Sequence, residues 1–190
     1  MYKIIKRKVG KSNKYFHNDQ QFASKEEIYI LWFLDDLVKS GHIKFYIYQP
    51  EQWKIIAAPE YYWVKKNKKS ETEKTGNIMD SLNYTPDFEI VWNWSGVCDY
   101  VYILNEENIS VRSRARKPFV AIRDKDYPLD SLVSYIDVNG DAVKFPVLQK
   151  IIFFCKGIYV EKIVPEKLFK KTFYPARYLW TDGLTKKRKI

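Results

Sequence analysis

Residues 84–92 read YTPDFEIVW, and this stretch decides the fold class. The whole stretch, rich in aromatic and β-branched residues and without glycine, is expected as one strong strand. Pro86 holds the residue before it extended. Asp87 then sits between the aromatic residues Tyr84 and Phe88, where a carboxylate needs a partner. Residues 96–104 (GVCDYVYIL) are expected to be the partner strand, reached across a turn at 93–95.

Moving upstream, residues 61–64, 53–57 and 43–49 are β-branched and aromatic and are expected as strands, punctuated by Pro59 and Pro50. The run KKNKKSETEKTGN that follows residue 64 is expected as a polar loop with a solvated charge run. Further upstream, Ser24-Lys25-Glu26-Glu27 is a capping box, and the helix it starts is expected to reach Lys39 before Ser40-Gly41. Helical spacing puts Glu27 on one stripe with Leu31, Leu34 and Val38.

Downstream, residues 131–138 (SLVSYIDV) form an apolar strand that ends at Asn139-Gly140, a turn pair. Pro146 suits a first helical turn, and Leu148, Ile151, Ile152 and Cys155 space an apolar face as far as Lys156-Gly157. A last strand is expected at 158–164. The order predicts an α/β fold, a central mixed β-sheet flanked by helices, in one domain over residues 1–190 with a basic tail at 181–190.

Composition narrows the chemistry. The 190 residues carry 33 Lys and Arg against 23 Asp and Glu, a net charge of +10 that favours an anionic partner. Basic segments stand at 65–69, 112–117 and 186–189. Two histidines, His17 and His42, are too few for a His-based zinc or hydrolytic centre. Cys98 and Cys155 lie too far apart in sequence to suggest a Cys-based zinc site and are expected to be reduced core residues. The N-terminal stretch lacks the apolar core of a signal peptide, and no apolar run spans a bilayer, so a soluble intracellular protein is expected.

Catalysis therefore falls to carboxylates, lysines or hydroxyls. Hydrolysis of a phosphodiester without histidine commonly uses carboxylates that hold Mg²⁺. Asp87 and Asp137 stand where strands enter and leave the core, and two acids at neighbouring strand ends can share one cation. Glu27 is the third candidate. Each also has a plainer explanation: Glu27 as half of a capping box, Asp87 as an acid satisfied by backbone groups, Asp137 as a turn residue.

These residues resemble the PD-(D/E)XK nuclease superfamily, in which a helix Glu, a Pro-Asp strand acid and a later acid-x-Lys line one metal site. Pro86-Asp87 matches the first motif and Asp137-Val138-Asn139 occupies the place of the second. SKEE before a helix, Gln49 closing a strand, YTPDF, IDVNG and the Gln149-Lys150 helix, in that order, look like phage endodeoxyribonucleases, including the junction-resolving endonuclease I type, over roughly residues 20–165. The resemblance implies a restriction-endonuclease-like core and a metal-dependent DNA endonuclease of phage recombination, repair or DNA processing, working in the cytoplasm of a host cell. It implies that Asp87 and Asp137 bind Mg²⁺ or Mn²⁺, with Glu27 assisting directly or through water. It further implies catalytic roles for Asn139 and Lys150, and a nucleic-acid-binding role for Gln149. Arg112, Arg114, Arg116 and Lys117 would contact DNA, branched substrates included, and a homodimer would suit symmetric cutting of two strands.

Asn139 departs from the pattern, because the family has Lys there and Asn carries no charge. Either another lysine, Lys150 or Lys144, supplies the cation, or the protein is weakened or inactive. The alternative class is then a non-catalytic DNA-binding or phage structural protein that keeps the fold, and a third is a basic interaction domain with no nucleic-acid role.

Overall fold

The computed structural model describes residues 5–9, 12–17, 20–67, 70–104, 118–123, 131–139, 142–165 and 168. Arg112, Arg114, Arg116, Lys117 and the tail 181–190 lie outside the described residues. Three short strands come first, β1 (Ile5–Val9), β2 (Ser12–His17) and β3 (Gln20–Phe22), forming an antiparallel meander. Helix α1 (Lys25–Lys39) follows where the capping box foretold it: the Glu27 N–H donates to Ser24 Oγ at 3.1 Å. The stripe expected on this helix is broader than its spacing suggested. Residues 27–34 are all buried, while Val38 faces solvent and Leu37 takes its place.

A six-stranded mixed sheet forms the centre. Its strands are β4 (Ile43–Tyr48), β9 (Phe88–Trp92), β10 (Val101–Ile103), β11 (Phe119–Arg123), β12 (Leu132–Val138) and β13 (Val160–Ile163). The apolar strand β12 is the hub. One edge pairs antiparallel with β9 over Leu132 to Ile136. The other edge is shared, with β11 antiparallel along Leu132 and Val133 and β13 parallel from Tyr135 to Val138. β4 lies antiparallel outside β9, and β10 parallel outside β11. Alternation along β12 serves two cores. Leu132, Ile136 and Val138 belong to the core on the α1 side with Phe88, Ile90 and Trp92. Val133 and Tyr135 belong to a second core with Val91, Val160, Phe145 and Ile152. The buried hydroxyl of Ser134 is satisfied twice, accepting from Trp92 Nε1 and donating to the Val120 carbonyl, each at 2.8 Å.

Four expectations need correction. YTPDFEIVW is not one strand: β8 (Leu82–Tyr84) pairs with β5 (Trp53–Ile56), and the chain breaks at Pro86-Asp87 before β9. The partner expected at 96–104 is instead helix α2 (Trp94–Tyr100) followed by the short β10. A short apolar run does not distinguish strand from helix by its periodicity. The polar run after residue 64 is not a loop, because it belongs to a hairpin of β6 (Glu60–Asn67) and β7 (Ser70–Asn77). Finally, helix α3 (Lys144–Lys156), closed by Gly157 in the left-handed region, leaves Cys155 exposed as a free thiol. Among the described residues no helix is long and apolar enough to cross a membrane.

Gly96 fixes how α2 docks. A Cβ there would come within 2.1 Å of the His42 carbonyl oxygen and 2.9 Å of the Trp92 ring, and a backbone carbonyl cannot swing aside. Gly41, at φ +75, has open space around it, so a side chain there meets only backbone strain. Gly96→Ala is therefore expected to lower stability by about 2–3 kcal/mol or more, and Gly41→Ala by about 1–2 kcal/mol. Urea unfolding of both variants checks this, and a neutral Gly96→Ala would show that α2 does not dock as described.

Candidate active site

Glu27, Asp87 and Asp137 come to the same end of the central sheet. Asp87 directly precedes Phe88, whose partner on β12 is Ile136, so the strand pairing ends with Asp87 beside the Asp137-Val138 step. The Asp87 N–H donates to the Ile136 carbonyl at 3.0 Å, and its Oδ2 accepts from the Val138 N–H at 2.6 Å. The side chain thus takes over a backbone acceptor's place at the end of the ladder. Its own carbonyl accepts from the Gln49 N–H at 2.8 Å, tying in the end of β4.

The other two acids approach from opposite faces. Tyr135 on β12 belongs to the core that contains Phe145 and Ile152 of α3, and strand alternation puts Asp137 on that face too. There Tyr84, buried beside Trp53, donates its hydroxyl to Asp137 Oδ2 at 3.0 Å. Glu27 comes from α1, on the other face. Its carboxylate accepts from Ser24 Oγ at 2.9 Å, from the Ala23 N–H at 3.2 Å and from the Tyr48 hydroxyl at 2.7 Å. The Tyr48 ring is held against Phe22 and Phe88. Glu27 therefore fills its capping role and is oriented by a sheet tyrosine as well.

Electrostatics link the three. Burial pushes the Asp87 carboxyl up to about 7; the Val138 hydrogen bond works against that rise, and the charges of Asp137 and then Glu27 add to it. Burial and the neighbouring carboxylates also raise the phenols of Tyr84, beside Asp137, and Tyr48, beside Glu27. Both hydroxyls stay protonated and act as donors.

Asn139 stands just past β12 at φ +59, exposed, with its N–H donating to the Ile163 carbonyl at 2.9 Å. Asn tolerates this left-handed conformation, so the backbone by itself accounts for Asn at this position. Gln49 is the other non-glycine residue with positive φ among those described, at +47, and it stands at the end of β4 next to Asp87. Lys144 and Lys150 on α3 are exposed. Gln149 donates its amide to the Val160 carbonyl at 2.6 Å, which ties α3 to β13. Sequence reasoning missed Lys162. It pairs in register with Asp137 across the parallel β12–β13 ladder, on the same face, and is partly buried. Only the strand register brings it there, so no sequence spacing could have found it.

As donors, Asp87 and Asp137 suit a hard divalent cation, since Mg²⁺ is commonly held by one or two carboxylates together with water and substrate phosphate. A closed site of three protein ligands is not formed: among the described residues no three His, Cys, Asp or Glu side chains are grouped to hold a metal. Glu27 and Asp137 approach from opposite faces of the sheet. No protein-family model, curated protein or solved structure matches this chain.

The raised Asp87 carboxyl makes stability depend on pH. Below about 4 the group is protonated folded and unfolded alike; between 3.8 and about 7 only the folded chain holds the proton; above that both states are ionised and the burial penalty is complete. Stability from this group thus falls as pH rises through that window. With EDTA present, Asp87→Asn is expected to be more stable than the parent at pH 8, by at most on the order of 4 kcal/mol, with the gain vanishing near pH 4. Thermal unfolding across pH measures it, and a gain that does not change with pH would mean that Asp87 is not buried among like charges.

Proposed function

We propose that this protein is a metal-dependent endonuclease of the PD-(D/E)XK type, hydrolysing DNA phosphodiesters at the sheet end that carries Asp87 and Asp137. The observation that carries the reading is that three acids from distant parts of the chain come to one sheet end: a partly buried Asp87 on the Val138 N–H, Asp137 on the Tyr84 hydroxyl and Glu27 on the Tyr48 hydroxyl. A fold that draws like charges together is relieved by a proton or a cation at that place. A DNA substrate agrees with the net charge of +10.

In this reading Asp87 and Asp137 hold Mg²⁺ or Mn²⁺, which supplies Lewis acidity at the scissile phosphate and a nucleophile at neutral pH. The protein's own groups set the ligands in place. Val138 N–H orients the Asp87 carboxylate, and the Tyr84 hydroxyl orients that of Asp137. Glu27, with three donors already on its carboxylate, positions Tyr48 and the start of α1 beside Asp87. Lys162, in register with Asp137, takes the place of the cation that Asn139 lacks and faces the developing negative charge.

A second reading, a DNA-binding protein that keeps the fold without catalysis, rests on Asn139, which carries no charge where the resembled pattern has Lys. The two readings separate in a cleavage assay on branched and linear DNA with Mg²⁺ or Mn²⁺. Asp87→Asn and Asp137→Asn are expected to abolish cleavage while leaving binding in EDTA within about twofold. Lys162→Ala is expected to slow cleavage on the order of a hundredfold, and Lys150→Ala by less than about threefold. Binding without cleavage by the parent would establish the second reading, and near-parental cleavage by Asp87→Asn would remove the site.

A further inference from the structure

The β6–β7 ribbon sorts its side chains by face. Its register pairs Tyr61 with Gly76, Trp63 with Lys74 and Lys65 with Thr72, so these six share one face. The opposite face pairs Glu60 with Asn77, Tyr62 with Thr75, Val64 with Glu73 and Lys66 with Glu71. All three glutamates of the ribbon stand on this second face, where Lys66 pairs with Glu71 at 2.9 Å. The first face carries Lys65, Lys74 and no carboxylate.

The same face presents two aromatic rings. Tyr61 and Trp63 stack with centroids 4.9 Å apart and planes 20° from parallel, yet remain 45% and 40% exposed. Gly76 makes this possible, because a Cβ there would meet the Trp63 ring at 3.0 Å and the Tyr61 ring at 3.2 Å. Covering a strand glycine with aromatic rings stabilises a ribbon, and that alone would explain the stack. It does not explain why this face carries Lys65 and Lys74 with no acid, while all three glutamates stand on the other, where Lys66 is paired with Glu71.

We infer that the Tyr61, Trp63, Lys65 and Lys74 face of the ribbon binds an unpaired nucleic-acid strand. Exposed rings beside lysines match a ligand that has flat π-faces and phosphates in alternation. Lys74 lies directly across from Trp63, and Lys65 is two residues along the same strand, roughly 7 Å away, so a base on the stack leaves its phosphates within lysine reach. A duplex hides its base faces and offers only phosphates and edges, so the stack selects the unpaired strand. The inference stands on the ribbon and is independent of the acid site.

The full chain, with EDTA to suppress any cleavage, is titrated into a fluorescently labelled single-stranded oligodeoxynucleotide of about 20 nucleotides and into the matching duplex, following anisotropy. Trp63→Ala is expected to weaken single-strand binding at least about fivefold, and Trp63→Phe to retain most of it. Tyr62→Ala, on the acidic face, is expected to stay within about twofold of the parent. Lys65→Gln with Lys74→Gln, which leaves the rings in place, is expected to weaken binding and to make its salt dependence shallower. Duplex affinity is expected to change by less than about twofold in Trp63→Ala. The inference is overturned by a parent that does not bind the single strand, by equal losses from Trp63→Ala and Tyr62→Ala, or by parallel losses on single strand and duplex. It is also overturned if the double lysine variant binds like the parent.

Discussion

The pairing of β9 with β12 joins residues 88–92 to residues 132–136, segments far apart in the chain, and most of the molecule is arranged around that join. Side chains alternate along each strand, so a slip of one residue would turn Ile136 and Val138 away from the α1 core and carry Asp137 into it. Two apolar cores, one on each face, hold the register. At its end the pairing is closed by a side chain: Asp87 Oδ2 receives the Val138 N–H. The contact that finishes the ladder is thus also the one that fixes the central acid of the candidate site.

Placing an acid there has an electrostatic cost, and the surroundings offset it unevenly. Among the described residues Glu27 accepts from Ser24, Ala23 and Tyr48, Asp137 accepts from the Tyr84 hydroxyl among its contacts, and Asp87 accepts a short backbone hydrogen bond while feeling the charge of both neighbours. The imbalance concentrates at Asp87, whose carboxyl rises while the two tyrosines keep their protons. Backbone conformation is unusual at the same end, where Gln49 and Asn139 both take positive φ beside Asp87 and Asp137. Outliers of this kind gather where surrounding structure holds a site in place.

Strand alternation does a second job in the β6–β7 ribbon. Period-two placement separates acids from the aromatic-lysine face, although in sequence the charges of residues 60–77 look mixed. The sheet-end acids and the basic ribbon face are thus two products of one geometric rule acting on different residues.

Several local signals were legible in the sequence. Ser24 and Glu27 announced the start of α1, Gly157 its counterpart at the end of α3, and the apolar runs at 43–48 and 132–138 gave central strands, because caps and short-range patterns act over one or two turns or pairs. The three acids were legible as residues whose type and position were unusual. What the sequence did not show was decided by the folded chain: that Pro86-Asp87 separates two sheets, that 94–100 forms a helix whose Gly96 lies against the His42 carbonyl, and that β6 and β7 pair into a ribbon. Register likewise brought Lys162 to Asp137, while helix packing left Lys150 in solvent and put Glu27 on the sheet face opposite Asp137. The pairing of Lys162 with the Asp137 register position and the approach of Glu27 join segments distant in sequence, and no local spacing encodes which strand a residue will meet.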